Sequence, residues 1–289
     1  FEMPAAHHDL FLNPQTGVLG MVTGVGTARA AASTMAVGLD ARFDLSRAYW
    51  LSVGIAGFDP ADASLGSAAW AEYVVDGDLA HQIDAREIPP DWESGYFPRR
   101  AKRPFDPPRP QPRGEVYRLD EDLVEWAYQL TRTIDLPDAE DAAAYRAQYT
   151  EHDNARRPPF VLKGDNLAAS TFWHGALLND WANRWVDYWT AGEGSFVSSA
   201  MEDTGTLQAL TWLHQAGQVD KDRVLVLRTA SNFTMPPPGV GAAEHLVGEK
   251  AKGYSGLGLS IEAAYRVGER VVTELVSDWD RYRDSPPSS

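Results

Sequence analysis

One stretch limits the fold of this chain more than any other: the run AYWLSVGIAG at residues 48–57, which is apolar at nearly every position. A strand that is apolar at consecutive positions is buried on both faces, as is typical of a central strand in an α/β sheet. A second strand is predicted in DRVLVLRT, before a loop that begins at Ala230. Amphipathic helices are predicted in LDEDLVEWAYQLTRTIDL, with Asp120 as N-cap, and in the closing segment GLSIEAAYRVGERVVTELVSDW. Because strands alternate with helices, the sequence predicts an α/β fold.

The loops that follow the predicted strands are the places to look for a ligand site, since α/β folds bind ligands beyond the carboxyl ends of strands. Three loops have this position, at residues 54–60, 164–175 and 229–238. Residues 88–113 are rich in proline, which removes backbone donors, so they are predicted to form an extended surface loop docked by its aromatic residues. No repeat divides the chain, and residues 1–289 are predicted to form one domain.

Charge and composition exclude several classes of function. The formal net charge is −15 and the chain has no cysteine, so a polyanion would meet a like-charged surface and no thiolate chemistry is available. The sequence contains no stretch of the roughly 20 apolar residues that a membrane helix needs. We therefore expect no nucleic-acid partner and no membrane span, while the cellular compartment stays open.

Two short segments each have two interpretations. In SSAMEDTG, Ser199 as N-cap would place Glu202 at the third helical position and complete a capping box worth about 1 kcal/mol. Alternatively, the Glu202 carboxylate holds a substrate. In TGVGTARAAAS, which contains Gly24, the glycines predict either an anion cradle at a helix N-terminus or a tight turn between a strand and a helix. This second segment matches neither common nucleotide-binding motif.

The histidines give little support for a metal site. His81 and Asp84 have only H-x-x-D spacing, so we expect neither a metal nor another cofactor. His174, in TFWHG, is a candidate site residue because it lies among aromatic residues in a predicted loop after a strand. The alternative is a buried histidine of the core. No G-x-S-x-G segment indicates a serine nucleophile.

Four segments occur in a characteristic order: TGVGTARAAAS, SVGIAGFDPADASLGS, SSAMEDTG and LRTASNF. They resemble the nucleoside phosphorylase and nucleosidase superfamily, and more closely its branch of purine nucleoside permeases. VDGDLAHQIDAREIP and GDNLAASTFWHG extend the resemblance to nearly the whole chain from Leu10 onward. It implies a three-layer α/β/α sandwich around a twisted mixed sheet, which binds a purine nucleoside at the strand ends and breaks its N-glycosidic bond. Because homo-oligomers are common in this superfamily, a homo-oligomer is left open.

The resemblance also implies roles for individual residues. Met201 would pack on the ribose while Glu202 accepts hydrogen bonds from both vicinal hydroxyls, a task that suits a two-oxygen carboxylate. Asn232, preceded by Ser231, would meet the leaving base at N7. An amide there cannot donate a full proton as an aspartic acid could, and it stabilises developing charge only by hydrogen bonding. The other implied substrate-binding residues are Gly24, Ala56, Gly57, Phe172, Trp173 and His174.

Water is the predicted nucleophile. Phosphorylases of this superfamily bind phosphate partly through an R-V-G-S pattern, and this chain reads SVGI at residues 52–55. Nucleosidases use a glutamate after the first strand to activate water, and Glu2, in FEM at the expected end of a strand, falls near that position. The sequence therefore favours hydrolysis over phosphorolysis. Asn232 motivates a further alternative, a nucleoside-binding protein that assists uptake without turnover.

Overall fold

An eight-stranded mixed sheet forms the centre of the molecule. The computed structural model describes residues 1–287, the side chains of residues 250 and 252 apart. In spatial order the strands are β8 (Val116–Arg118), β5 (Tyr73–Asp76), β10 (Asp165–Ala168), β11 (Phe196–Ala200), β3 (Trp50–Phe58), β12 (Val224–Phe233), β4 (Ala68–Ala71) and β9 (Val161–Lys163). Two separate antiparallel pairs are β1 (Phe11–Asn13) with β2 (Val18–Gly20), and β6 (Ala80–Gln82) with β7 (Tyr96–Pro98).

The two strands predicted from the apolar runs, β3 and β12, are parallel neighbours near the middle of this sheet. Their register runs from Val224 opposite Trp50 to Phe233 opposite Phe58, with one irregularity between Ala230 and Asn232. On the other side of β3, strand β11 runs antiparallel to it, while β5, β10 and β11 are parallel to one another. The sheet thus changes strand direction between β11 and β3.

Helices follow the strands as the sequence predicts. They are α1 (Thr27–Gly38), α2 (Glu121–Thr131), α3 (Glu140–Arg146), α4 (Ala176–Thr190), α5 (Asp203–Gln215), α6 (Ala242–Lys252), α7 (Leu257–Ser277) and α8 (Trp279–Tyr282), with 3₁₀ turns at Asn154–Arg156 and Lys221–Arg223. The predicted cap of α2 is confirmed, since the Asp120 carboxylate accepts a 2.8 Å hydrogen bond from the Leu123 N–H.

Helices cover both faces of the sheet. Val74 belongs to a core that includes residues of α2, α5 and α7, namely Leu123, Leu210 and Val267. Its neighbour Val75 packs instead with tryptophans of α4, namely Trp181, Trp185 and Trp189. Adjacent residues of a strand point to opposite faces. The expected three-layer α/β/α sandwich with a mixed sheet is therefore confirmed.

The proline-rich segment 88–113 is docked by its aromatic side chains, as predicted. The Tyr96 ring lies 5.1 Å from that of Trp181, and the Phe105 ring lies 6.3 Å from that of Trp185. The guanidinium of Arg184 lies over Phe105. The segment is not wholly irregular, because it includes β7, which pairs with β6.

Candidate functional site

Three neighbouring parallel strands end at one edge of the sheet. The last residues of β5, β10 and β11 are Asp76, Ala168 and Ala200. Backbone pairing continues just past them, since the Gly77 N–H donates to the Ala168 carbonyl (2.9 Å) and the Ala169 N–H donates to the Ala200 carbonyl (3.0 Å). The next strand, β3, runs the other way. The carboxyl ends of neighbouring parallel strands are where α/β folds form ligand crevices.

Helices α1 and α5 both begin near this edge and touch at their first turns. A Cβ on Gly205 would lie only 2.0 Å from the Thr27 carbonyl oxygen, so this approach requires a glycine. The Thr27 N–H donates to Ser170 Oγ at 3.1 Å, and the two hydroxyl oxygens lie 2.9 Å apart. The Ser170 N–H donates to the Asp78 carboxylate. These contacts join the loop after β10 to the N-terminus of α1.

A buried ion pair supports the start of α5. The fully buried Asp203 carboxylate accepts from Arg228 at Nε (2.8 Å) and at Nη2 (2.6 Å). It also accepts from Ser52 Oγ and from Asn166 Nδ2, each at 2.8 Å. Arg228 is itself buried, in strand β12. Four hydrogen bonds from three elements satisfy the buried Asp203 side chain, and its ion pair with Arg228 avoids the high cost of an unpaired buried charge.

Glu202 lies between β11 and α5 and is positioned by the same arginine. Its Oε2 lies 3.3 Å from Arg228 Nη1 and accepts from the Met201 N–H at 3.3 Å. Burial alone would lower the pKa of Arg228, and the carboxylates of Asp203 and Glu202 raise it above its ordinary value. The Glu202 side chain is 19% exposed, so a fixed carboxylate reaches the surface at the strand ends.

The predicted capping box is wrong. Ser199 lies inside β11, opposite Gly57 of β3, and helix α5 begins only at Asp203. Glu202 is the N-cap residue, and no side-chain cap hydrogen bond is found there within residues 1–287. Sheet pairing through Ala200 keeps the backbone extended, which is incompatible with a helix that starts after Ser199. The carboxylate is therefore not used as a cap.

The structure brings Ala56, Gly57, Ser231 and Asn232 together. A Cβ on Gly57 would lie 3.1 Å from Asn232 Nδ2. Asn232 is only 3% exposed, and its Nδ2 donates to the Phe233 carbonyl at 3.2 Å. Ser231 Oγ lies 2.9 Å from Asn232 Oδ1 and 3.1 Å from the Ala56 carbonyl. The Asn232 amide thus already forms hydrogen bonds within the protein.

Phe172 and Trp173 lie in different surroundings. Phe172 is 39% exposed and stacks on Tyr254, with ring centroids 6.2 Å apart. Trp173 packs edge-on against Trp181. It also lines a cavity of about 90 Å³ whose other walls are Gly77, Asp78, Ala80, Gln82, Tyr96, Ala169, Thr171, Leu178 and Trp181. Neither this cavity nor a second one near α4 and β11 is lined by Glu202 or Asn232 among the described residues.

His174 is buried, as its core alternative expects. Its Nε2 lies 2.9 Å from His245 Nδ1, and the two rings stack with centroids 4.9 Å apart. Burial, and more weakly the neighbouring His245, lowers the pKa of His174 to about 4. The other ring nitrogen of His174, Nδ1, is also buried and has no hydrogen-bond partner within the described part of the chain. An unsatisfied nitrogen is unusual for a purely structural histidine.

Glu2 does not lie at the candidate site. Arg42 donates to the Glu2 carbonyl at 3.1 Å and pairs with Asp40, just beyond the C-terminal end of α1. The site lies at the opposite end of this 12-residue helix, which spans about 18 Å. Residues 1–3 form no strand, because Phe1 and Leu10 bond to each other and close the segment into a loop. This placement does not support Glu2 as the base that activates water.

Gly24 is explained by local structure. It has a φ of 79°, and a Cβ there would lie 2.8 Å from the His7 ring. The helix that follows has Gly26 as its N-cap residue, with a φ of 94°. Both glycines therefore form a tight turn before α1, and Gly24 is covered by His7 on the side that a side chain would occupy.

Sequence reasoning gave no role to Arg228 or Asp203, although both lie in segments that carry the resemblance. The available signal was an arginine inside the apolar run VLVLR, since a charge in a buried strand must be paired. Asn166 and Ser52 gave no comparable signal, because a small polar residue in a strand has many other uses.

Residues 1–287 contain neither a cluster of metal-ligating side chains nor a helix that could span a membrane. No group of three or more His, Asp or Glu side chains within residues 1–287 has an arrangement that could hold a metal ion. In the same part of the chain, no helix combines the length and the apolar character needed to cross a bilayer.

The chain is similar to known proteins over nearly its whole length. It is 32% identical over 281 residues to a purine nucleoside permease of Candida albicans (strain SC5314 / ATCC MYA-2876), covering 96% of this chain and 68% of that protein. It is 31% identical over 275 residues to a probable purine nucleoside permease of Schizosaccharomyces pombe (strain 972 / ATCC 24843), covering 92% and 78%.

The fold is also found among solved structures. The futalosine hydrolase of Helicobacter pylori strain 26695 superposes with a TM-score of 0.50 at 14% identity, covering 92% of this chain and 83% of that one. A variant of the H. pylori methylthioadenosine/S-adenosylhomocysteine nucleosidase gives a TM-score of 0.50 at 14% identity, covering 89% and 80%. These likenesses show a shared nucleosidase-like fold. The family model for purine nucleoside permease (NUP) matches residues 1–287, and the chain belongs to the purine nucleoside permease family.

Proposed function

We propose that this chain binds a purine nucleoside, with the ribose at Met201 and Glu202 and the base beside Gly57 and Asn232. One observation carries the proposal: the Glu202 carboxylate is partly exposed at the strand ends and is held there by the buried Arg228. The names of the relatives, purine nucleoside permeases, support the class of ligand.

The free hydrogen-bonding capacity of the Glu202 carboxylate suits a diol. A carboxylate has two oxygens and about four lone-pair sites. Arg228 and the Met201 N–H both use Oε2, and within residues 1–287 no hydrogen bond is found to Oε1. The carboxylate therefore has capacity for two hydroxyl donors, and charge-assisted hydrogen bonds of this kind are about twice as strong as neutral ones.

Small residues suit the base. Gly57 has no side chain, and a Cβ there would lie 3.1 Å from Asn232 Nδ2 and 3.3 Å from Thr234 Cγ2, so the glycine keeps the Asn232 amide in place beside the proposed base. Ser231 and the Phe233 carbonyl fix the orientation of the Asn232 amide. A fixed amide presents its polar edge with little loss of side-chain entropy on binding.

Hydrolysis of the N-glycosidic bond is the second candidate. It is favoured by His174 Nδ1, which is buried without a hydrogen-bond partner within the described residues and, in the Nδ1–H tautomer, is a further donor for the leaving base. Against it, Glu2 lies at the far end of α1 and the Asn232 amide is already hydrogen-bonded. Phosphorolysis has less support, since Ser52 of the SVGI segment bonds to Asp203. In nucleoside uptake, the proposed role of this protein is to bind the nucleoside.

The test is calorimetric titration with inosine, guanosine and adenosine, combined with chromatography of free base, with and without phosphate. Binding without release of base supports a binding protein. Base released in phosphate-free buffer would establish hydrolysis, and base released only with phosphate would establish phosphorolysis. If none of the three nucleosides binds, the proposed function is wrong.

A further inference from the structure

A chain of buried hydrogen bonds runs inward from His174. His174 Nε2 lies 2.9 Å from His245 Nδ1, and His245 Nε2 lies 2.6 Å from the Tyr145 hydroxyl. The Tyr145 hydroxyl lies 3.4 Å from Glu249 Oε1. This chain of hydrogen bonds is unsatisfied at both ends, because His174 Nδ1 and Glu249 Oε2 are buried and have no hydrogen-bond partner within the described residues. Glu249 Oε2 does lie 3.9 Å from His245 Nδ1. Each of these three residues, His174, His245 and Glu249, is more than nine-tenths buried.

Both histidines are neutral near pH 7. Burial lowers the pKa of His174 to about 4 and lowers the pKa of His245 below its ordinary value. A neutral imidazole carries one N–H and one lone pair, so each hydrogen bond in the chain fixes the tautomer of the next ring. Ionised Glu249 allows one arrangement of protons that satisfies every link, whereas protonated Glu249 allows that arrangement and its reverse.

In the first arrangement, protonated Glu249 donates to Tyr145, Tyr145 donates to His245, and His245 donates to His174 Nε2. His174 then carries its proton on Nδ1 and presents a donor. In the second, Glu249 is ionised and accepts from Tyr145, every link is reversed, and His174 presents a lone pair at Nδ1. The two arrangements differ by one proton, which goes to solvent when Glu249 ionises, and each bond of the hydrogen-bond chain then reverses its direction.

His174 lies beside the strand end that carries Asn232. The N–H of the next residue, Gly175, donates to the Thr234 carbonyl at 2.9 Å. The Tyr145 ring stacks on Phe233, with centroids 6.4 Å apart, and a Cβ on Gly175 would lie 3.2 Å from Ala242 Cβ at the start of α6. This chain of hydrogen bonds therefore lies against the end of β12, where the base of the nucleoside is proposed to lie.

We propose that His174 Nδ1 hydrogen-bonds the 6-substituent of the purine, and that it can do so as a donor only while Glu249 is protonated. This inference rests on the proposed function. A 6-oxo group only accepts hydrogen bonds, so it matches the arrangement with protonated Glu249. A 6-amino group donates, so it matches the arrangement with ionised Glu249.

The change in protonation of Glu249 is expected near neutral pH. Burial raises the pKa of Glu249 to about 7, although its bond with Tyr145 opposes the shift. The titratable groups that face the chain are Tyr145 on α3, Tyr149 after it, His245 on the same helix as Glu249, His174 before α4, and Tyr254 after α6. Of these groups, Glu249 is the one whose pKa burial brings to about 7.

The experiment measures the dissociation constants of inosine and adenosine from about pH 6 to about pH 8. The preference for inosine over adenosine should fall by about three- to tenfold as pH rises, the value of one neutral hydrogen bond. Glu249→Gln, which is nearly isosteric, should abolish this pH dependence, and titration of the nucleosides themselves would appear equally in that variant. His174→Phe should remove it too, whereas His81→Ala, at an exposed histidine in β6, should retain it.

A second measurement needs no ligand. In the ¹⁵N spectrum of the free protein, the His174 tautomer should change from Nδ1–H to Nε2–H as pH rises, and Glu249→Gln should hold it constant. A pH-independent base preference in a protein that binds nucleosides would overturn this inference alone, as would a fixed tautomer. Failure of all nucleosides to bind would overturn the proposed function, and with it the contact between His174 and the base.

Discussion

Replacing Asp203 with asparagine should destabilise the fold and weaken nucleoside binding at the same time. The change conserves size but removes the charge that faces the buried guanidinium of Arg228. Arg228 would be left with Glu202, 3.3 Å away, as its remaining carboxylate partner among the described residues. Removing one partner of a buried ion pair costs about 3–5 kcal/mol, because the other charge stays buried and poorly compensated.

This free energy corresponds to a readily measured change in melting temperature. The entropy of unfolding is about 2.1 cal/mol/K per residue, or about 0.6 kcal/mol/K for a chain of 289 residues. A loss of about 3–5 kcal/mol should therefore lower the Tm by about 5–8 °C. Asp222→Asn is the matched control, because Asp222 is 51% exposed and pairs with Lys221 at the surface, where ion pairs contribute about 0–1 kcal/mol.

Binding should weaken because Glu202 becomes the main counterion of Arg228 and competes with the ribose hydroxyls. Calorimetric titration of Asp203→Asn, at a temperature where the variant is folded, measures this loss. Asp203→Leu combined with Arg228→Met should recover much of the stability, since an apolar replacement of a buried pair is often tolerated. A destabilisation below about 1 kcal/mol for Asp203→Asn would refute the assignment of this pair as the support of Glu202.

Other substitutions test separate parts of the structure. Glu202→Ala should cost ribonucleosides about 1–3 kcal/mol more binding free energy than 2′-deoxyribonucleosides, and equal losses in titration would contradict the diol contact. Gly205→Ala, which presses on Thr27, should cost about 1–3 kcal/mol in urea denaturation, while Gly248→Ala, in open space on α6, should stabilise by up to about 1 kcal/mol. Burial raises the pKa of Glu249 to about 7, so the fold favours its protonated form and loses that stabilisation as pH rises through 7. Thermal melts of Glu249→Gln should lack this loss, and an unchanged pH dependence would show that Glu249 does not titrate as described.

The parts of the fold that the sequence could predict are those fixed by local pattern. The apolar runs of β3 and β12 and the Asp120 cap of α2 each follow from a few adjacent residues. The order of strands does not, because β11 follows β3 by more than a hundred residues and yet pairs beside it. Such pairings are decided by the whole sheet, and a resemblance to a known fold was needed to expect them.

The candidate site, too, could be predicted from the sequence only in part. Segments that resemble the superfamily supplied Glu202 and Asn232, and the structure places Glu202 just after β11 and Asn232 near the end of β12, the two strands on either side of β3. The capping box at Ser199 failed because local spacing cannot show that a serine is paired in a sheet. Glu2 failed because the segment before β1 closes on itself. The Arg228 network was missed because its members come from β3, β10, α5 and β12.

Binding and hydrolysis make different demands on this site, and one further experiment separates them. A hydrolase must stabilise an oxocarbenium-like sugar more than the intact nucleoside, and so it binds a cationic iminoribitol analogue at least about 10²-fold more tightly than substrate. A binding protein needs no such preference. The carboxylate of Glu202 would attract a cation weakly at best, since Arg228 lies 3.3 Å behind it and offsets part of its charge. We therefore expect the analogue and inosine to bind within about tenfold of each other in competition titration, and a preference of about 10²-fold or more for the analogue would overturn binding in favour of catalysis.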